Sequence, residues 1–252
     1  MKIVVIGGTG LIGSQVVRLL TAAGHDGVAA APNTGVDTIT GAGLTQVLTG
    51  ADVVVDVSNS PSFERDAAVE FFRTSTGNLV AAEQAAGVAH HVALSVVGTG
   101  ELAVESGYFA AKQVQEELIA ASGVPYSIVH ATQFYEFITG IINAATAGTV
   151  VRLAPVDIQP IASADVAAAV AAAAVEPPLN GIGDIAGPQR FRLDELARAV
   201  LAERQDPRTV HTDPTALYWG AHLQTDTLTP GAGATLSETR FADWQLAAAN
   251  PR

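Results

Sequence analysis

Apolar residues in the first half of the chain fall into short runs separated by segments with helical spacing. The runs "KIVVIGG", "GVAAAP", "ADVVVDVS", "HHVALSVVG" and "PYSIVHATQF" predict buried strands. Between them, "LIGSQVVRLLTAAG", "AGLTQVLTG", "FERDAAVEFFRTSTGNLVAAEQAAG" and "YFAAKQVQEELIAASG" carry apolar residues at the spacing of helices. Strands that alternate with helices in this way predict an α/β fold with a Rossmann-like, doubly wound parallel sheet.

The alternation weakens after about Phe134. The segment "VRLAPVDIQPIASADVAAAVAAAAV" predicts an extended stretch and then a helix capped by Ser163 or Asp165, and "FRLDELARAVLAERQ" predicts a helix opened by acids. We expect residues 1–252 to form a single domain, to which about residues 135–252 contribute a smaller lobe on the ligand side.

Composition narrows the class of partner. The chain has 252 residues, is 48% hydrophobic, and carries a net charge of −12 from 25 acids and 13 bases, which disfavours nucleic acid and anionic membranes. It has no cysteine, which excludes thiolate catalysis and favours a reducing compartment such as the cytoplasm. The apolar runs are too short for a secretory signal or a membrane span, so we expect neither.

A glycine-rich turn follows the first predicted strand. In "GGTGLIG", Gly7, Gly10 and Gly13 recur every three residues before a predicted helix. Without Cβ atoms the main chain can approach a pyrophosphate, and the helix N-terminus offers free N–H groups to it. A plain glycine-rich turn is the alternative, but the position inside a βαβ unit favours an NAD(P)-binding domain.

The second predicted strand bears on the choice of cofactor. Folds that bind NAD usually carry an acid about twenty residues after the glycines, but this count from Gly13 reaches Asn33. Asp26 precedes the strand and Asp37 lies beyond its tip. A neutral tip leaves room for a 2′-phosphate, with Asn33 and Thr34 as donors, and favours NADP(H) over NAD(H), although no arginine is close in sequence.

A tyrosine and a lysine lie one helical turn apart in "SGYFAAKQ". Tyr108 and Lys112 therefore share one face of the predicted helix, where an ammonium can stabilise a phenolate whose ordinary pKa is about 10. With four tyrosines and two lysines, chance would give this spacing roughly 3% of the time. Ser95 ends a predicted strand thirteen residues before the tyrosine; taken alone, it could simply bond to backbone.

These motifs together carry a family resemblance. "GGTGLIG", Ser95 and "YFAAK" resemble the short-chain dehydrogenase/reductase superfamily, and "VVVDVSNSPSF" and "HATQFYEF" are most similar to its atypical, NmrA-like branch, over about residues 1–200. The resemblance implies an NAD(P)H-dependent carbonyl reductase or alcohol dehydrogenase. Tyr108 would exchange the proton, Ser95 would hold the reacting oxygen, and Lys112 would hold the nicotinamide ribose and lower the pKa of Tyr108.

Two alternatives remain open. Many NmrA-like relatives lack the tyrosine and some act as redox sensors without turnover, so a dinucleotide-binding regulator is the second interpretation. A sugar-nucleotide epimerase or dehydratase is the third, but it needs a larger substrate region than the chain offers after residue 134.

The resemblance and the strand ends also predict the ligand contacts. The cofactor is expected to contact Gly7, Thr9, Gly10, Leu11, Ile12, Gly13, Asn33, Thr34, Val57, Ser58, Asn59, Lys112, Ala131 and Thr132. The substrate is expected to contact Phe63, Val97, Gln133, Phe134, Phe137 and Trp219. These loops lack a basic clamp, so the pattern favours an uncharged, fairly hydrophobic ketone, aldehyde or quinone.

The histidines do not suggest a metal. None has the spacing of a helical zinc site, and no metal is expected. His90 and His91 enter a strand and must point to opposite faces, so we expect them at the surface. His130 is expected to be a core or cofactor-side histidine.

Overall fold

The fold is known from a computed structural model, which describes residues 1–249. Its strands are β1 (Lys2–Ile6), β2 (Asp26–Ala30), β3 (Val53–Asp56), β4 (His90–Val96), β5 (Tyr126–Ala131), β6 (Thr146–Ala147), β7 (Val150–Leu153), β8 (Asp157–Ile158), β9 (Gly181–Ala186), β10 (Phe191–Arg192), β11 (Thr209–Thr212) and β12 (Thr235–Leu236).

The helices connect these strands. They are α1 (Gly13–Ala22), α2 (Leu44–Leu48), α3 (Arg65–Ala86), α4 (Thr99–Leu102), α5 (Gly107–Ala121), α6 (Ile138–Ala144), α7 (Ser163–Val175), α8 (Leu193–Glu203) and α9 (Phe241–Ala249), with single 3₁₀ turns at Pro32–Thr34 and Tyr135–Phe137. Within residues 1–249, no helix combines the length and the apolarity needed to cross a bilayer.

Seven parallel strands form the central sheet in the order β12-β9-β5-β4-β3-β1-β2. This confirms the predicted Rossmann-like, doubly wound fold. The chain passes from β1 to β2 on one side and returns to β3 on the other, so the strand order reverses beside β1. Ligands of open α/β sheets bind at such a reversal, outside the carboxyl ends of the strands.

Helices cover both faces of the sheet. Helices α1 and α7 pack on one face, where Val16, Leu20 and Val170 bury against Val5 and Val92. Helices α3 and α5 cover the other face and pack on each other. Burial on both faces explains why these strands read as continuous apolar runs.

The second half of the chain adds a lobe beside the carboxyl edge. Strands β6, β7 and β11 form a small sheet, β8 pairs with β10, and α6 and α8 supply much of their apolar core. The same half also contributes α7, β9 and β12 to the main domain. The lobe is therefore interleaved with the main domain along the chain.

The predicted cap of α7 is wrong. Helix α7 begins at Ser163 after Ala162, and no side chain caps it by hydrogen bonding from within the helix. Instead, the Ser163 N–H lies 3.2 Å from the Glu136 carboxylate, which also accepts the Ser163 hydroxyl at 2.6 Å. A carboxylate from a distant segment thus satisfies the helix N-terminus, which local sequence rules do not reveal.

The expected surface position of His90 and His91 is also wrong. Both are buried, because β4 lies between two other strands and has helices over both faces. His90 Nε2 lies 2.9 Å from the Ser127 hydroxyl, and burial lowers the pKa of His90 to about 4. On the opposite face, His91 Nδ1 lies 2.8 Å from Glu83. Burial acts to lower the pKa of His91, but the carboxylates of Glu83 and Asp56 together raise it.

Candidate functional site

The glycine turn after β1 is shaped by close backbone approaches. Gly7 has φ +76°, and its N–H donates to the carbonyl of Ala30 at 2.9 Å. A Cβ on Gly13 would lie 2.2 Å from the carbonyl oxygen of Gly7, so a side chain at the start of α1 would displace the turn. The turn therefore needs glycine at positions 7 and 13, as a pyrophosphate cradle does.

A cavity of about 780 Å³ extends from this turn along the carboxyl edge of the sheet into the lobe. It brings together all three predicted catalytic residues and most of the predicted contacts. Those lining it are Gly7, Thr9, Gly10, Leu11, Ile12, Gly13, Val57, Ser58, Asn59, Phe63, Ser95, Tyr108, Lys112, Ala131, Thr132, Gln133, Phe134, Phe137 and Trp219. A second, more open groove of about 530 Å³ lies between α8 and α9 and contains none of the predicted residues.

Three predicted contacts do not line the cavity: Asn33, Thr34 and Val97. Asn33 is linked to it, since its side-chain oxygen accepts a hydrogen bond from Thr9 at 3.2 Å. The Thr34 hydroxyl bonds within its own loop, to the backbone of Ala31 at 2.9 Å. Val97 is buried beyond the end of β4.

Several lining residues were not among the predicted contacts. They include Pro32, Val36, Asp37, Thr38, Ile39, Pro61, Phe71, Phe109, Gly140 and Ile141. Most come from the loop after β2 and from the lobe, where the path of the chain is not encoded in a local pattern. No local signal marks the first group, since "NTGVDTI" contains only two large apolar residues, Val36 and Ile39.

Tyr108 lies in the wall of the cavity at the start of α5. Its hydroxyl donates to the side-chain oxygen of Asn59 at 3.2 Å, and its ring centroid lies 5.1 Å from that of Phe63. Burial raises the pKa of Tyr108 to about 12, and the hydrogen bond to Asn59, which lowers this pKa, offsets only part of the rise. At neutral pH the side chain is thus a phenol with a proton to give.

Lys112 is held one turn further along α5. Its ammonium donates to the carbonyl of Leu94 at 2.9 Å and to the side-chain oxygen of Gln115. The amide nitrogen of Gln115 in turn donates to Asp56 at 2.9 Å. Burial lowers the pKa of Lys112 to about 8, opposed by the carboxylates of Asp56 and Glu116. An ammonium has three N–H donors, so two fixed bonds leave one for a ligand.

Ser95 belongs to a polar chain that crosses three strands. Its hydroxyl donates to Glu116 Oε1, and His130 Nε2 lies 3.0 Å from the same oxygen. Asp184 Oδ1 lies 3.8 Å from His130 Nδ1. Ser95, His130 and Asp184 are direct neighbours in the register of β4, β5 and β9, so they share one face of the sheet.

The residues present fit a dinucleotide. The glycine cradle lies at the end of β1, and two buried hydroxyls on the cavity wall, those of Ser58 and Thr132, have no hydrogen-bond partner among the described residues. A buried polar atom without a partner is costly, and a ligand's hydroxyl or amide would satisfy it. Fold and site together define a dinucleotide-binding protein of Rossmann type.

The comparisons with known proteins agree with this class. The model of a family described as NAD(P)H-binding matches residues 7–177, and the chain belongs to that family. No curated protein sequence matches it.

Solved structures with the same fold are similar over nearly the whole chain. The protein MoeE5 in complex with UDP-glucose and NAD has a TM-score of 0.71 and 18% identity over 99% of this chain and 100% of that one. A dTDP-4-dehydrorhamnose reductase ortholog from Clostridium acetobutylicum has a TM-score of 0.67 and 16% identity over 98% and 93%. An NADPH-dependent quinone oxidoreductase from Escherichia coli has a TM-score of 0.64 and 19% identity over 98% and 100%. At these identities the likeness shows the fold alone.

Proposed function

We propose that this protein is an NAD(P)H-dependent oxidoreductase of the carbonyl reductase or alcohol dehydrogenase type. The observation that carries the proposal is that Ser95, Tyr108 and Lys112 line the same cavity as the glycine turn. The Escherichia coli quinone oxidoreductase with this fold supports the reaction class. The substrate is an uncharged, fairly hydrophobic carbonyl compound, and the cysteine-free composition favours the cytoplasm.

The proton state of Tyr108 favours reduction. NAD(P)H, held at the turn of Gly7, Gly10 and Gly13, would supply the hydride to the carbonyl carbon. Tyr108, with its pKa raised to about 12, gives its proton to the carbonyl oxygen in place of Asn59. Lys112, whose pKa is about 8, is mostly protonated at neutral pH and uses its remaining N–H for a ribose hydroxyl. The expected lowering of the Tyr108 pKa by Lys112 is wrong, because burial raises that pKa and the only group among the described residues that acts against burial is Asn59.

Replacement of Tyr108 tests the proposal. Tyr108→Phe removes the acid and keeps the ring, so we expect kcat to fall by about 10²–10⁴ with NAD(P)H binding unchanged. Turnover is measured as NAD(P)H consumption over a panel of ketones, aldehydes and quinones, and binding as cofactor fluorescence. Tyr126→Phe is the matched control, because Tyr126 lies at the start of β5 and does not line the cavity.

Two results would contradict the proposal. An unchanged kcat in Tyr108→Phe would remove this residue from the mechanism. Cofactor binding without turnover by the wild type over the whole panel would instead favour a dinucleotide-binding regulator.

The cavity wall also bears on the cofactor. The preference for NADP(H) rests on the neutral tip of β2, but Asp37 lines the cavity just beyond that tip. Its Oδ1 accepts the N–H groups of Ile39 at 2.8 Å and Thr40 at 3.3 Å, which fix the carboxylate. The charged residues among those lining the cavity are Asp37 and Lys112, so no arginine is present there to offset a 2′-phosphate. We therefore propose NAD(H) as the preferred cofactor.

Cofactor titration decides this point. We expect the Kd of NADH to be at least about tenfold below that of NADPH, because a 2′-phosphate would meet a carboxylate without a compensating cation. In Asp37→Asn the difference between the two Kd values should narrow, because NADPH should bind more tightly. Asp26→Asn, at the first residue of β2 and away from the cavity, serves as the control. Tighter binding of NADPH than of NADH by the wild type would return the preference to NADP(H).

A further inference from the structure

Two stacked aromatic pairs line the main cavity. The rings of Phe63 and Trp219 are 5.2 Å apart at 17°, and those of Phe134 and Phe137 are 5.3 Å apart at 21°. Phe63 is 50% exposed, Phe137 54% and Trp219 38%. Large aromatic faces left open inside a cavity are surfaces on which another flat ring can stack.

Trp219 is presented by an unusual turn. Tyr218 and Ala221 exchange both backbone hydrogen bonds, at 2.8 and 3.0 Å, around a two-residue loop. Trp219 has φ +49° and Gly220 has φ +87°, the pattern of a type I′ turn. Asparagine or aspartate commonly precedes glycine in such turns, whereas a bulky residue there is strained. Strain of this kind concentrates at ligand sites.

This hairpin is fastened to α4 and to the segment that follows it. The backbone N–H of His222 donates to Glu105 at 2.8 Å, and the ring Nδ1 of His222 lies 2.8 Å from the same carboxylate oxygen. Further along, the Thr227 hydroxyl donates to Glu101 at 2.8 Å. The turn therefore holds the Trp219 ring at a defined place on the cavity wall.

The pair of Phe63 and Trp219 lies beside Tyr108, the proposed general acid. The ring centroid of Phe63 lies 5.2 Å from that of Trp219 and 5.1 Å from that of Tyr108. A flat ring stacked on this pair would bring a carbonyl attached to it toward the Tyr108 hydroxyl. The charged lining residues are Asp37, on the loop after β2, and Lys112, whose remaining N–H is assigned to the cofactor ribose, so within residues 1–249 no further cation lines the cavity for an anionic group of the substrate.

We propose that the substrate is an aryl carbonyl, an uncharged compound whose C=O group is conjugated to a flat aromatic ring. This inference rests on the proposed function of the same cavity. In the reaction a C–H bond forms at the carbonyl carbon with hydride from NAD(P)H, which is oxidised. The C=O π pair becomes an oxygen lone pair that takes the proton of Tyr108.

The test compares acetophenone with cyclohexyl methyl ketone, which differ in the flatness of the ring. In Trp219→Asn we expect the ratio of kcat/KM for the aryl to the cyclohexyl ketone to fall about three- to tenfold, as the loss of one stacking contact implies. The Tm should rise, since asparagine suits the turn. Trp219→Leu keeps the strain and an apolar side chain, so its ratio should fall without a rise in Tm. An unchanged ratio in both variants would overturn the inference.

A binding measurement separates this inference from the proposed reaction. The chain has two tryptophans, and Trp244 packs against Phe241 and Tyr135 rather than on the cavity wall. In Trp244→Phe, saturable quenching of Trp219 by acetophenone but not by cyclohexyl methyl ketone would support the aryl site even if no carbonyl is turned over. Turnover of both ketones without such quenching would contradict the aryl site at Trp219 but leave the proposed carbonyl reduction standing.

Discussion

The hydroxyl of Ser95 has a single proton, and in the structure that proton lies in the bond to Glu116. To donate to a substrate oxygen, Ser95 must give up this acceptor. His130, 3.0 Å from the same carboxylate oxygen, can replace the serine as a donor. Glu116 therefore competes with the substrate for the Ser95 proton.

Glu116→Gln should weaken the hydrogen bond that Ser95 donates to residue 116, because hydrogen bonds to a neutral amide are weaker than those to a carboxylate. We expect kcat/KM for the ketone to rise about three- to tenfold, corresponding to about 1 kcal/mol. The same change in a Ser95→Ala background should give no such rise, and only the loss of the Glu116 charge that helps to keep Lys112 protonated should remain. Glu117→Gln, on the exposed side of α5, is the matched control.

The outcome that contradicts this interpretation is an equal effect in both backgrounds. Glu116 would then act on the fold of α5 rather than on Ser95.

At the scale of single residues, the sequence identified the side chains with a recognisable spacing. Ser95, Tyr108 and Lys112 could be predicted because their separation along the chain places them at one strand end and on one helix face. Glu116 and Asp37 could not, since their positions depend on strand register and on the path of a loop.

At the scale of elements, the apolar pattern predicted the strands β1 to β5 and the helices α1, α2, α3 and α5, but it missed the four-residue helix α4. Burial on both faces keeps these strands apolar, and the long helices show their period. The short strands β6, β8, β10 and β12 are too brief to show any period. The cap of α7 was missed for another reason, since Glu136 reaches it through tertiary structure.

Helix α5 carries residues of the candidate site and also the side chains that anchor it to the sheet. It carries Tyr108 and Lys112 toward the cavity, while Gln115 ties it to β3 and Glu116 ties it to β4. Its buried face therefore carries Lys112 and Gln115 among the apolar Phe109, Ala111 and Ile119. A mixed face of this kind is typical of helices that carry a site.

At the scale of the whole molecule, Lys112 connects the site with stability. Its pKa is about 8 in the folded protein and about 10.4 in an unfolded chain, so between these values the unfolded chain binds more protons. The free energy of unfolding should then rise with pH. Tyr108 and Tyr135, with pKa values raised to about 12, act with the opposite sign and mainly above pH 10.

We expect wild-type protein to gain about 1–2 kcal/mol relative to Lys112→Met between pH 8 and pH 9.5. Denaturant titrations of the cofactor-free proteins at these two pH values measure the difference. Subtracting the variant removes the effect of the rising negative charge that both proteins share. Parallel stability curves would mean that Lys112 titrates normally in the folded state.

The order of strands in the sheet has a consequence for synthesis of the chain. Strands β2, β1, β3, β4 and β5 are contiguous in the sheet and are complete by residue 131, whereas β9 begins at residue 181 and β12 at residue 235. A chain that leaves the ribosome N-terminus first can thus assemble the glycine turn and the strand of Ser95 early. Until β9 is translated, β5 is an open edge on the nascent protein, the place where a chaperone or a neighbouring chain would pair.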